Sequence, residues 1–431
     1  MVKSKRPVVS LKSGCSCSMP GVWRAVAHSD GAVVIFHSPK ACAHITQEMG
    51  LGIHYRLVAR QEFVPGRYRA PLISSELNDE HSIFGGAEQL RACIRSVAGR
   101  YRPSYIVIAS SCVAGIIGDD IAEVAALAEQ EFTIPVIASP CSGYLDGEYH
   151  AGYYHTAMAV AERFITTQPT LPDTVTLLGD RGGPDSEDCQ EMERLLHYFG
   201  LEVHAHFPGY ASLNDMRRVA ASSLNILIGG RAQSYAWIRR LAVGLEARSG
   251  TPFFDRDHPV GWLGTTAWLA ELGALLARPQ AARQAIAAEQ QRLQAAVFES
   301  RRTLRLARVA LVIGRPLQYF EPGWVLELLA QAEIELVAVV LLQGLTGQQQ
   351  EVLRQALPAY TQIPVLLQSQ ADATLRTAEL VMTTHELDDE NLRQFFIPVL
   401  PPIGVSGFLR QLQKLERLAQ RPALRGGILY G

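Results

Sequence analysis

The chain has 431 residues, 48% of them hydrophobic and 19% charged, with 40 Lys and Arg set against 42 Asp and Glu. A formal net charge of -2 without a basic stripe excludes a nucleic-acid footprint, and no window offers the roughly eighteen uninterrupted apolar residues of a membrane span. The length implies two or three domains, and the basic start from Lys3 to Arg6 lacks the apolar run of an export signal, so a cytoplasmic protein is expected.

Short apolar runs alternate with longer amphipathic stretches along the chain. Strands are expected at Ala32–Phe36, Tyr105–Ala109 and Pro135–Ala138, with helices at Ala87–Arg100 and Asp120–Glu131. The Pro- and Thr-rich stretch Thr166–Asp173 then precedes a fresh strand, Thr174–Leu178. A helix over Asp185–Phe199, a strand at Asn225–Ile228 and a helix over Ser234–Ser249 follow. A long Ala/Gln/Arg helix, about Pro279–Arg301, leads to strands Ala307–Ile313, Leu336–Leu341 and Glu379–Met382, with a helix at Val325–Glu333. Continuous Val/Ile/Leu runs fit strands buried on both faces, as in parallel sheets. The expected fold is α/β, with three Rossmann-like domains of parallel sheet flanked by helices: residues 1–168, 169–302 and 303–431.

Seven cysteines are too few for a disulfide scaffold and should remain thiols. Cys17 lies in a loop of small residues, Gly14 to Gly21, ahead of a helix-like stretch. Cys42 follows a strand and the turn Ser38-Pro39-Lys40-Ala41, and Cys112 follows another strand in Ser110-Ser111-Cys112-Val113-Ala114-Gly115. Two of the three therefore sit beyond the carboxyl ends of strands, where open α/β sheets place ligands. Thiolates are the soft ligands of iron–sulfur clusters, and three cysteines leave a fourth position to another chain or residue. Taken alone, each is equally readable as a packed thiol, because a compact CxxC pair is absent and a Cys15–Cys17 disulfide would be strained.

Three segments together resemble the nitrogenase component 1 family: Ser111-Cys112-Val113-Ala114-Gly115-Ile116-Ile117-Gly118-Asp119-Asp120, Ser38-Pro39-Lys40-Ala41-Cys42, and Gly14 to Gly21. The acidic segment Ser75 to Gly86, ending in a Gly-Gly pair, and Ser139-Pro140-Cys141-Ser142-Gly143-Tyr144 resemble the family too. The likeness covers about residues 13–165. It implies that Cys17, Cys42 and Cys112 hold an interfacial iron–sulfur cluster, either an eight-iron P-cluster or a 4Fe–4S cluster, shared with a paralogous α-type subunit in an α2β2 heterotetramer. It further implies an ATP-dependent iron–sulfur reductase homodimer as electron donor. Where the family's cofactor-ligating cysteine would fall, this chain has Gly229 and Gly230. The segment His150 to His155, read as a loop, has tyrosine in place of the catalytic histidine, and no histidine follows Ile397 to Pro402. The resemblance thus points to a β-type or nitrogenase-like reductase subunit acting in electron relay, with methylthio-alkanes as the favoured substrate class. Its alternatives are a scaffold for assembling a nitrogenase-type cofactor and a reductase of protochlorophyllide, chlorophyllide or nickel sirohydrochlorin.

Other residues are assigned plainer roles. Cys141, Cys93 and Cys189 are expected to be packed thiols. His28, His37, His44, His54 and His81 crowd the first domain without a zinc spacing. His150 and His155 are minor candidates for a substrate pocket. Asp119 and Asp120 open a helix, where capping accounts for them. Gly179-Asp180-Arg181-Gly182-Gly183 lacks a Walker Lys-Ser/Thr and reads as a turn.

Overall fold

The computed structural model describes residues 17–48, 68–145, 148–231, 234–314, 321–389, 392–398 and 400–421, and the backbone of 428–430. Lys3 to Arg6, Gly14, Cys15 and His54 lie outside the described residues. Runs such as Ala32–His37 and Arg308–Ile313 have no polar face to turn to water, so each needs helices on both sides. Among the described residues three parallel sheets result, and the α/β reading with Rossmann-like units holds.

The first sheet runs β2-β1-β3-β4, from β1 (Ala32–His37), β2 (Leu72–Ser74), β3 (Tyr105–Ser110) and β4 (Val136–Ser142). Its helices are α1 (Met19–Val26), α2 (residues 40–48), α3 (Asp79–Phe84), α4 (Ala87–Tyr101), α5 (Cys112–Ile117), α6 (Ile121–Phe132) and α7 (Tyr149–Phe164). Alternate strand residues feed two cores. Val34, Phe36, Val107 and Ala109 pack with α1 and α7, while Val33, Ile35, Ile106 and Ile108 pack with α4 and α6.

The second sheet runs β6-β5-β7-β8, from β5 (Leu171–Leu178), β6 (Glu202–Phe207), β7 (Ser222–Leu227) and β8 (Phe253–Phe254). With it come α8 (Glu187–His197), α9 (Leu213–Arg218), α10 (Tyr235–Ser249), α11 (Gly261–Leu275) and α12 (Pro279–Leu304). The third sheet runs β11-β10-β9-β12-β13-β14, from β9 (Arg308–Ile313), β10 (Glu335–Leu341), β11 (Val365–Leu367), β12 (Leu380–Thr383), β13 (Gln394–Phe396) and β14 (Ile428–Tyr430). Its helices are α13 (Pro322–Gln331), α14 (Gly347–Ala356), α15 (Gln368–Leu375) and α16 (Gly404–Gln420). Two carboxylates of α8 meet the amino end of α16: Asp188 accepts from the Ile403 amide at 3.1 Å and Glu191 from that of Ser406 at 3.0 Å. Negative charge at a helix amino terminus is favourable, so this contact ties the second and third units together.

All eight expected strands form. The structure adds β2, β6, β8, β11, β13 and β14, which are short or polar. It also corrects two local readings. His150 to His155 lie inside α7 rather than in a loop, and Cys141 lies within β4 rather than after it. The β3–β4 register jumps from Ala109↔Ser139 to Ser110↔Ser142, a bulge that absorbs Pro140 and its missing N–H. Among the described residues no helix is long and apolar enough to cross a membrane.

Candidate functional site

The carboxyl ends of β1 and β3 carry the Cys42 and Cys112 segments to one end of the first sheet, and the turn after β4 meets the Cys17 segment. Cys112 is the first residue of α5, and the side chain of the preceding Ser111 caps that helix by accepting from the Ala114 amide at 3.2 Å. The Ser111 amide donates to the carbonyl of His37 at 3.1 Å, which fixes the Cys112 segment against the end of β1. From there Ser38 and Pro39 turn the chain into α2, where the Cys42 amide donates to the Pro39 carbonyl at 3.1 Å.

Gly143 joins the third segment to the second. Its carbonyl accepts from both the amide and the hydroxyl of Ser18, at 3.1 and 3.0 Å, which holds the residue after Cys17. Its φ is +60°, and a Cβ there would sit 2.8 Å from the Cys112 amide nitrogen. Only glycine allows this approach. On the far side α1 crosses α7 backbone to backbone: a Cβ on Gly152 would lie 2.0 Å from the Ser18 carbonyl oxygen.

Cys17, Cys42 and Cys112 are each partly buried, and the first two pack against the same core. Burial pushes the Cys42 thiol above its ordinary pKa; the Ser38 hydroxyl works against that rise and the Cys112 thiol adds to it. The two thiols therefore sense each other's charge. Among the described residues no group of three or more His, Cys, Asp or Glu is close enough to hold a single metal ion. Three thiols are soft donors of the kind that iron–sulfur clusters take. Cys141 is buried in the bulge, and burial raises Cys93 to about 11 and Cys189 to about 12, as expected of packed thiols.

From His37, whose carbonyl holds the Ser111 amide, runs a buried hydrogen-bonded chain that sequence reasoning did not assemble. His37 is fully buried; its Nε2 lies 2.9 Å from Asp119 Oδ2 and its Nδ1 2.9 Å from Ser75 Oγ. Asp119 also accepts from the Gly86 amide through both oxygens, at 2.9 and 3.0 Å. Burial holds the imidazole below its ordinary pKa, against the pull of Asp119 and with a small push from His81. Asp120 does cap α6, accepting from the Ala122 and Glu123 amides, so the capping assignment holds for Asp120 and not for Asp119.

Around α3 and α5 the surface carries exposed apolar side chains. Ile83 and Phe84 on α3 are 76% and 82% exposed, and Ile116 on the neighbouring α5 is 76% exposed. Leu145, also exposed, lies against α5, since a Cβ on Gly115 would lie 3.0 Å from its Cδ1. Contiguous exposed apolar groups of this size mark interaction surfaces.

The remaining candidates fall elsewhere. His155 meets the ring of Trp237 edge-on and His150 that of Tyr149. The Gly179–Gly183 segment is a turn whose Asp180 pairs with Arg24 at 2.5 Å and accepts from the Gly182 amide. At Gly229 a Cβ would lie 2.9 Å from the Asp180 nitrogen and 2.9 Å from the Gly179 Cα, so the β5 and β7 loops close on each other and leave no room for a side chain.

Comparison with known proteins adds three findings. The sequence profile of the family described as nitrogenase component 1 type oxidoreductase matches residues 17–362. The nitrogenase molybdenum–iron protein alpha chain of Methanosarcina barkeri is 26% identical over 258 residues, 58% of this chain and 46% of that one. The nitrogenase iron–molybdenum cofactor biosynthesis protein NifE of Klebsiella pneumoniae is 26% identical over 328 residues, 70% and 68% of the two chains. Against such alpha chains the matched part spans about half of their length. A solved structure of nitrogenase Cp1 superposes with a TM-score of 0.65 at 18% identity, covering 98% of this chain and 92% of that one, which shows a shared fold.

Proposed function

Because this chain belongs to the nitrogenase component 1 type oxidoreductase family, we propose that it is a subunit of a nitrogenase-like reductase whose Cys17, Cys42 and Cys112 hold an iron–sulfur cluster shared with a paralogous subunit. One observation carries this reading: Gly143 and the His37–Ser111 bond bring three half-buried thiol segments to one end of the first sheet. A cluster there supplies one-electron storage and transfer.

The chain's own residues do the holding. Ligation requires each thiol to lose its proton, and burial makes that loss harder for Cys42, so binding there is coupled to proton release. Ser111, Gly143 and Ser18 fix the three segments so that little ordering remains to be done on binding. Ile83, Phe84 and Ile116 offer an ATP-dependent iron–sulfur reductase an apolar seat on α3 and on α5, the helix that Cys112 opens. The closed Gly179–Gly229 contact argues that any second metal group, and with it the reducing site, belongs to the paralogous subunit.

A second reading has its own support, because the NifE relative aligns over more of both chains than the catalytic alpha chain does. It makes this subunit a scaffold on which a cofactor is built. Anaerobic co-expression with the paralogous subunit, followed by iron, sulfide and EPR measurement for wild type and Cys112→Ala, tests the site. Iron and sulfide that Cys112→Ala loses are expected; iron-free wild type, or iron indifferent to that change, sinks the proposal. Turnover of a methylthio-alkane or tetrapyrrole panel with reductase and ATP separates enzyme from scaffold.

A further inference from the structure

The geometry points to His37 as a redox-coupled proton acceptor for the thiol site, taking up one proton on its imidazole when one electron is delivered there. This rests on the cluster reading above. Two features of position carry it. The carbonyl of His37 holds the residue before Cys112, and the turn that begins beside it leads directly to Cys42. The ring is thus tied to two of the three thiol segments, yet it is neither a ligand nor in contact with solvent.

The partners of the ring fix its resting state. Asp119 has only oxygens to offer, so Nε2 must donate to it, and Nδ1 is left to accept from the Ser75 hydroxyl. The Ser75 oxygen in turn takes the Ser38 amide at 3.3 Å. Every polar atom of the chain is used with a neutral ring. The titratable groups facing the ring are Asp119, from the link between α5 and α6, and His81 from α3. The end of β2 contributes Ser75, and α4 contributes only its leading Gly86, where a Cβ would lie 2.9 Å from His37 Cε1.

A hydrolytic Ser–His–Asp reading is excluded, because Ser75 is 1% exposed and no substrate reaches it. A purely structural tie would be served by an amide, without burying the carboxylate charge of Asp119. A carboxylate next to a buried imidazole does serve one purpose: it accommodates the ring once protonated. An electron from a one-electron donor adds negative charge at the thiolates, which favours the imidazolium in this poorly hydrated setting. The proton, drawn from solvent, lodges on Nδ1, because Nε2 already carries one toward Asp119, and the Ser75 hydroxyl turns to accept from it. No heavy-atom bond forms or breaks.

The test is an EPR-monitored titration of the co-expressed complex, poised with dithionite and mediators, repeated across about pH 5 to 8 where histidine titrates. In wild type the midpoint potential should fall by about 59 mV per pH unit, the tenfold change in proton activity converted for one electron. In His37→Gln, which keeps a donor for Asp119 and an acceptor for Ser75 but cannot titrate, iron should remain and the slope should vanish. In Asp119→Asn the sloping window should move to lower pH, since the ring loses its counter-charge. A flat wild-type profile, or an unchanged slope in His37→Gln, overturns the inference while leaving the cluster in place. Should His37→Gln lose its iron, Asp119→Asn decides, and an unmoved window there overturns the inference as well. Iron-free wild type overturns the cluster reading and this inference with it.

Discussion

Gly143 is the residue on which the arrangement of the three thiol segments depends, and Gly143→Ala puts a number on that dependence. Its φ of +60° lies in the left-handed region, where an L side chain costs about 1–2 kcal/mol. The new Cβ would also meet the Cys112 amide nitrogen at 2.8 Å, a backbone atom that cannot swing aside, and overpacking of this kind adds about 1–3 kcal/mol. The expected destabilisation is therefore about 2–5 kcal/mol, felt where β3, α5 and the Ser18 turn meet. A three-sheet chain need not unfold in one step, so a local readout is preferable. Hydrogen–deuterium exchange of peptides spanning β3 and α5 should accelerate by about thirty-fold to several-thousand-fold, at tenfold per 1.4 kcal/mol. Gly99→Ala is the control, because that glycine is exposed in α4 with nothing within 4 Å of its would-be Cβ, and alanine there should stabilise by up to about 1 kcal/mol. Exchange in Gly143→Ala within a few-fold of wild type would refute the close-approach argument and the role of Gly143 as the link between Cys17 and Cys112.

Three further outcomes are expected. Gly229→Cys should gain no metal beyond the wild-type complement, and should destabilise the β5–β7 junction by about 1–3 kcal/mol, because its Cβ meets the Asp180 nitrogen and the Gly179 Cα at 2.9 Å; metal analysis and a urea midpoint check both. His206 is held down to about 4 by burial, so the unfolded chain binds its proton first and stability should fall as pH drops from 6.5 toward 4. The ring is partly exposed, so we expect a loss of about 2 kcal/mol over that window, absent in His206→Gln melts. Phe84→Asp should leave thermal stability within about 0.5 kcal/mol of wild type, since the side chain is 82% exposed, yet weaken reductase-dependent electron delivery; unchanged delivery would remove α3 from the docking surface.

The sequence was legible where hydrophobic pattern and chain direction suffice. Continuous runs such as Val33 to Phe36 and Val309 to Ile313 can only be strands buried on both faces, and parallel sheets follow from the helices between them. The six strands it missed lack that signal. β2, β11 and β13 are three residues long, and β6 places His204 and His206 where apolar residues would have betrayed it. α7 was hidden because Tyr149 to His155 mixes glycine, tyrosine and histidine, all of modest helix propensity, and is helical through its packing against α1. The cysteine segments were legible one at a time. Their meeting was not, since it depends on Gly143 reaching both Ser18 and Cys112.

The same distinction explains Asp119 and Asp120. Two adjacent carboxylates ahead of a helix predict capping, and Asp120 does cap, with its side chain on the Ala122 and Glu123 amides. Asp119 points the other way and is spent on Gly86 and His37, residues 33 and 82 positions distant. Nothing local in the sequence separates the two. What separates them is the sheet order, β2-β1-β3-β4, which sets the ends of β1 and β3 side by side and so places a buried imidazole from one against a carboxylate that follows the other. A parallel sheet gathers the ends of distant strands on one side, and on this side it gathers a proton-binding pair together with three thiols. That juxtaposition makes the pH dependence of the potential the measurement that links the proposed cluster to the imidazole.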